Sequence, residues 1–144
     1  MLITISGVLS RDELEDVREQ ALGLRWRDGS QTAGEAARRV KRNEQADLGS
    51  RAGVKLRELL MARISGHPVL RAAARPKRLS RPLLSRAGEG GGYGLHVDNA
   101  LMGQGDNTIR SDVSYTLFLS DPGDYEGGEL VIEHPGATQA LRPP

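Results

Sequence analysis

The hydrophobic pattern of this chain changes its period near Pro76, and that change limits the folds open to it. Before Pro76 apolar residues recur at helical spacing; after it, short apolar runs alternate with Gly- and Pro-containing turns. Ser10-Arg-Asp-Glu13 has the spacing of a capping box, in which the hydroxyl accepts from the third helical N–H and the Glu13 carboxylate from the cap amide. Leu14, Val17, Ala21 and Leu22 follow at helical spacing, and Gly23 closes the predicted helix. Leu56, Leu59, Leu60 and Ile64 make one face of a second helix over 52–64, with Gly66 and Pro68 beyond it. A short helical piece over 69–74 follows. Leu2, Ile3 and Ile5 read as a first strand, and Trp26 to Gly34 as an extended segment with an Asp28-Gly29 turn. Residues 35–50 are polar and carry no clear period. Further strands are predicted over 79–85, 93–98, 113–119 and 128–133, with turns at Asp121-Pro-Gly-Asp124 and Glu126-Gly-Gly128. Helices first and strands after predict an α+β fold with an antiparallel sheet: a mainly helical region over 1–75 and a β region over 76–144.

A chain of 144 residues is long enough to bury one core without a staple. It contains no cysteine, which excludes structural disulfides, thiolate zinc sites and cysteine nucleophiles. The start, MLITISGVLSRDELED, lacks the basic and apolar blocks of a signal peptide, and no apolar run approaches the ~20 residues of a membrane helix. The expectation is a soluble, cytoplasmic protein. The net charge of +1 hides an asymmetry: residues 35–86 carry 14 Lys and Arg against four Asp and Glu, whereas residues 87–144 carry two against nine. A basic middle can attract phosphates. A nucleic-acid-binding domain centred on 35–86 is a third and weaker reading, because no aromatics are interleaved there to stack bases.

The stretch with most chemistry is GEGGGYGLHVDN, residues 88–99. A phosphate loop needs Gly-Lys-Ser/Thr at its end, and this cluster is followed by Tyr93 instead. A metal reading fares better. On a strand, residues i and i+2 project from one face, so His96 and Asp98 would stand side by side. Mixed nitrogen and oxygen donors suit iron(II), manganese or zinc. The glycines let the backbone bend into the strand. The bland reading of H-x-D is a surface hydrogen bond, and the tripeptide alone leaves both open.

GYGLHVDN, together with SYTLFLSDPGDYEGGELVIE at 114–133, resembles the PKHD-type hydroxylases, iron(II) and 2-oxoglutarate-dependent dioxygenases of the prolyl 4-hydroxylase type. MLITISGVLS and RWRDGSQTAG (25–34) resemble that family's start, so the similarity spans nearly the whole chain, weakest over 35–86. The resemblance implies N-terminal helices packed on a double-stranded β-helix, a cupin-like jelly roll, of which 76–144 would be an incomplete part. It implies that His96 and Asp98 hold iron(II) with a second, later histidine, leaving positions for 2-oxoglutarate and dioxygen. Oxoacid decarboxylation to succinate would be coupled to substrate hydroxylation, and L-ascorbate would keep the iron reduced. Tyr93 and Thr116 are candidates for contact with the oxoacid, each with a structural role as the alternative. Tyr115 shares that alternative, and Trp26 is most simply a core anchor.

Two departures stand out. The family places a tyrosine nine residues before the first iron ligand, where this chain has Ala87. The chain also stops at QALRPP, where the family continues into strands carrying the third iron ligand and the oxoacid-binding arginine; neither has a matching position here. His67 is expected in a solvated loop, and His134 and Arg142 are weak substitutes. The alternative function is therefore a catalytically inactive remnant or interaction module, with exposed sheet edges that invite self-association. The hydroxylated substrate is not legible.

Overall fold

The structure is a computed structural model that describes residues 2–103 and 105–143. It divides into two compact units, one formed by Ile5–Ser114 and the other by Met1–Thr4 with Tyr115–Pro144. The larger unit begins with α1 (Arg11–Leu22), capped as its sequence dictates: the Ser10 hydroxyl accepts from the Glu13 amide at 3.2 Å, and the Glu13 carboxylate accepts from the Ser10 amide at 2.9 Å. Then come β1 (Trp26–Asp28), a 3-10 turn (Gly29–Thr32), α2 (Glu35–Arg38), β2 (Lys41–Arg42) and β3 (Glu44–Ala46). α3 (Arg51–Gly66) and α4 (Pro68–Ala74) follow, then β4 (Ser85–Arg86), β5 (Gly92–Tyr93), β6 (Leu101–Met102), a second 3-10 turn (Gly105–Asn107) and β7 (Ile109–Arg110).

The helical period of α3 places Leu56, Leu60 and Ile64 on one buried face, opposite Val17 of α1; Leu56 and Val17 are fully buried. An ion pair from Arg63 to Glu13 ties the two helices at their exposed edge. Leu24, Ala33, Leu48 and Leu84 are buried as well, and the sheet of this unit has the order β1-β3-β4. α3 can enter beside the Asp47–Leu48 backbone only because its first turn carries Gly53. A Cβ there would lie 2.2 Å from the Asp47 carbonyl oxygen and 2.6 Å from the Leu48 Cα.

The sheet is antiparallel, with Trp26 opposite Ala46 and Gln45 opposite Ser85. Trp26 is half-buried; its Nε1–H donates to the Ala21 carbonyl at 3.1 Å, and the Arg86 guanidinium stacks 4.3 Å from its ring centroid. A second ladder sets Lys41 opposite Tyr93 and Arg42 opposite Gly92. β6 and β7 make a third, with Leu101 opposite Arg110.

The smaller unit is built on the hairpin β8 (Leu130–His134) and β9 (Ala137–Leu141), in register from Leu130↔Leu141 to His134↔Ala137 and turned at Pro135-Gly136. The turn expected at Asp121 is present: the Gly123 amide donates to Asp121 Oδ1 at 2.8 Å, and the Asp124 amide to the Asp121 carbonyl at 3.0 Å. The Arg142 guanidinium lies 4.5 Å from the Tyr125 ring centroid and 3.8 Å from Glu129.

The architecture is thus mixed helix and small antiparallel sheets, as expected. Four strands are shorter than expected or absent. Residues 2–5 and 113–119 form no ladder, 79–85 contributes only Ser85, and 93–98 contributes only Tyr93. Each of those runs is apolar enough for a strand, but a strand exists only where a partner offers matching N–H and C=O groups.

Candidate metal centre

β5 ends at Tyr93, and residues 94–100 continue as loop. The Gly94 amide still donates to the Val40 carbonyl at 2.8 Å. A Cβ at Gly94 would lie 2.9 Å from the Val40 Cβ, so the absent side chain is what lets the loop pass this close. The Gly94 carbonyl is thereby fixed within reach of His96, whose Nδ1 lies 2.7 Å from it. A carbonyl oxygen only accepts, so Nδ1 is placed to donate, and Nε2 is the ring nitrogen turned toward Asp98.

The imidazole is held on its face as well. It stacks on the Tyr93 ring with centroids 3.6 Å apart and 13° between the planes. Its Nε2 stands 3.4 Å from Asp98 Oδ1, while Asp98 Oδ2 accepts from the Ser114 hydroxyl at 2.5 Å. The His96 ring is largely covered and the Asp98 side chain largely exposed. Burial first, and the Asp98 carboxylate second, raise the Tyr93 phenol above its ordinary pKa, so it remains a hydroxyl donor at neutral pH. The Lys41 Nζ lies 4.9 Å from the centroid of the same ring.

Chemically, the pair places a nitrogen lone pair opposite a carboxylate oxygen. Two such acceptors repel unless a cation stands between them, either a proton on Nε2 or a metal ion. Donors about 2.1 Å from one ion and at a right angle to one another lie roughly 3.0 Å apart. The observed 3.4 Å needs only a slightly wider angle. An imidazole whose other ring nitrogen donates to a backbone carbonyl is the usual state of a ligating histidine. The two donors could thus occupy adjacent positions on one divalent ion such as iron(II), manganese or zinc.

Among the described residues no group of three His, Cys, Asp or Glu side chains comes together. His67 sits between α3 and α4, half-buried, with no hydrogen-bond partner on its Nδ1. His134 ends β8 in the other unit, where Thr116 also lies, exposed and outside any ladder. Arg142 is engaged with Tyr125 and Glu129. Burial raises the Tyr115 phenol. Ser114 and Lys41 escaped the sequence reading. Ser114 opens the SYTLFLS block, and Lys41 lies in the polar run without a period, so neither announced its neighbour.

A PKHD-type hydroxylase of Hyphomonas neptunium is 51% identical over 143 residues, covering 99% of this chain and 64% of that relative. By sequence, the chain is similar to PKHD-type hydroxylases along nearly its whole length. Those of Acidovorax ebreus and of Shewanella sp. (strain ANA-3) are 42% and 41% identical, each over 99% of the chain and 63% of the relative. The chain thus spans a little under two thirds of the length of these PKHD-type hydroxylases. No family model matches it.

Proposed function

We propose that the chain provides the iron-holding part of an iron(II)- and 2-oxoglutarate-dependent hydroxylase, with His96 and Asp98 as metal ligands. The observation that carries this reading is the geometry of His96: Nδ1 lies 2.7 Å from the Gly94 carbonyl oxygen, and Nε2 faces Asp98 Oδ1 at 3.4 Å. Iron(II), when bound, would supply the redox chemistry that couples oxidative decarboxylation of 2-oxoglutarate to hydroxylation of a substrate. L-Ascorbate as reductant and a jelly-roll fold for the catalytic domain over 76–144 belong to the same proposal.

The chain's own residues have separable tasks in it. Gly94 orients the imidazole through its carbonyl oxygen, 2.7 Å from Nδ1. Tyr93 covers one face of the ring and keeps water from it. Ser114 holds Oδ2 of Asp98, which leaves Oδ1 directed at His96. The Tyr93 hydroxyl, protonated at neutral pH, is available as a donor to an oxoacid; Thr116 is proposed for the same task.

The rival reading is an interaction module without a stable metal site. Anaerobic titration with iron(II) and 2-oxoglutarate separates the two. A weak charge-transfer absorption that disappears in His96→Ala supports the hydroxylase; no absorption at any concentration supports the module.

A further inference from the structure

An open cleft of about 620 Å³ lies between the 3-10 turn after β1, the end of α2, β2 and the loop from Arg86 to Gly91. Five cations line it, Arg38, Arg39, Lys41, Arg42 and Arg86. Three carboxylates face them, Asp28, Glu44 and Glu89. Two of the carboxylates are already engaged. Glu44 pairs with Arg86 at 2.8 Å, and Asp28 accepts from the Ser30 amide at 2.8 Å and the Ser30 hydroxyl at 2.9 Å. Those two bonds, amide first, hold the Asp28 carboxyl below its ordinary pKa, so it stays charged and in place. Arg38, Arg39 and Arg42 have no ion pair among the described residues, and Glu89 alone cannot balance them.

Lys41 is the exceptional member. It is only 6% exposed, and its ammonium donates to the Thr32 hydroxyl at 2.9 Å. Thr32 in turn donates to Gln45 Oε1 at 2.7 Å. Beyond that hydroxyl, Lys41 has the face of Tyr93; the charged Asp28 carboxylate acts on it, but no carboxylate among the described residues lies within ion-pair distance. A buried ammonium with one neutral acceptor in direct contact is unfavourable, and an anion entering the cleft would add a partner at closer range than Asp28. The same lysine sits opposite Tyr93 in the β2–β5 ladder, and Tyr93 stacks on His96. The cleft is therefore one side chain from the candidate metal ligands.

We propose that this cleft is an anion seat that binds the carboxylate or phosphate of a small molecule, with Lys41 at its buried end and Arg38, Arg39 and Arg42 at its rim. Guanidinium groups suit such anions because they donate in pairs. Resting on the hydroxylase reading above, the bound molecule is the one to be hydroxylated, held by its charged end beside His96.

The test is titration of the metal-free full chain at low ionic strength with inorganic phosphate and, separately, with succinate, followed by calorimetry and amide NMR. The expected result is one-to-one binding of at least one probe, with shifts centred on residues 38–42 and 86–91. Added salt should weaken it. Tighter phosphate binding marks a phosphorylated ligand; tighter succinate binding marks a carboxylate ligand of this cleft where the shifts centre on residues 38–42 and 86–91, because succinate is also the coproduct of the proposed reaction. Each charge removed should weaken binding roughly two- to fivefold, in Lys41→Met and in the triple variant Arg38→Gln/Arg39→Gln/Arg42→Gln. The three arginines are exposed, so the triple variant decides the matter if Lys41→Met does not fold. His96→Ala should bind the probes as the parent does, which separates this seat from the iron assignment. No binding of either probe, binding unchanged in the triple variant, or shifts confined to other residues would overturn it.

Discussion

Gly53→Ala should destabilise the protein although it improves the intrinsic helix propensity of α3. Alanine in a helix interior is favoured over glycine by about 1 kcal/mol. Against that stands the packing at this position. The new methyl would sit 2.2 Å from the Asp47 carbonyl oxygen and 2.6 Å from the Leu48 Cα, so backbone must move by about 1 Å to restore ordinary contact. That backbone is pinned: the Asp47 amide donates to the Arg25 carbonyl at 2.8 Å, and the Ser50 hydroxyl donates to the Asp47 carbonyl at 3.0 Å. Leu48 is buried in the core. Overpacking of this kind costs about 1–3 kcal/mol, and one or two weakened hydrogen bonds add about 1 kcal/mol each. The net expectation is a loss of about 1–4 kcal/mol, read as a lower urea midpoint at unchanged slope. Gly66→Ala is the control, because nothing lies within 4 Å of a Cβ there; it should be neutral or slightly stabilising. A Gly53→Ala protein as stable as the parent would refute the close approach of α3 to the Asp47–Leu48 backbone.

Leu56→Ala removes a fully buried side chain between α1 and α3 and should cost about 2–5 kcal/mol in the same urea assay. Glu13 has a carboxyl pKa lowered by the Ser10 amide first and by Arg63 next. A lowered folded-state pKa means that this stability is present above the unfolded value of 4.5 and is lost as pH falls through the folded value. Glu13→Gln should therefore flatten the acid limb of the stability profile, and an unaltered limb would contradict the capping account. Ser114→Ala should weaken ferrous binding about fivefold, since it frees the Asp98 carboxylate from one charge-assisted hydrogen bond worth about 1 kcal/mol at an exposed site. Equal affinity in calorimetry would leave Ser114 without a role in the site.

Local signals were legible in the sequence. The capping box at Ser10 and the Leu56–Ile64 face announced α1 and α3, because caps and helical periodicity are written within a few residues of one another. Strands were harder. β2 and β3 are short and polar, Lys-Arg and Glu-Gln-Ala, and they exist because β5 and β1 offer backbone partners far along the chain. The reverse error fell on 93–98, where an apolar alternation found no partner past Tyr93. The pairing of His96 with Asp98 was read from strand geometry, yet a loop brings them within 3.4 Å, steered by the Gly94 carbonyl. Ser114 and Lys41 reach the site from 16 and more than 50 residues away, and no local pattern encodes contacts of that span.

The most direct test of the account is the state of the His96 imidazole, read by nitrogen-15 NMR of the three histidines before and after anaerobic addition of iron(II). The account predicts a ring protonated at Nδ1, with paramagnetic broadening at Nε2 on addition of the ferrous ion that is lost in Asp98→Ala. A ring protonated at Nε2, or resonances untouched by the ferrous ion, would contradict it.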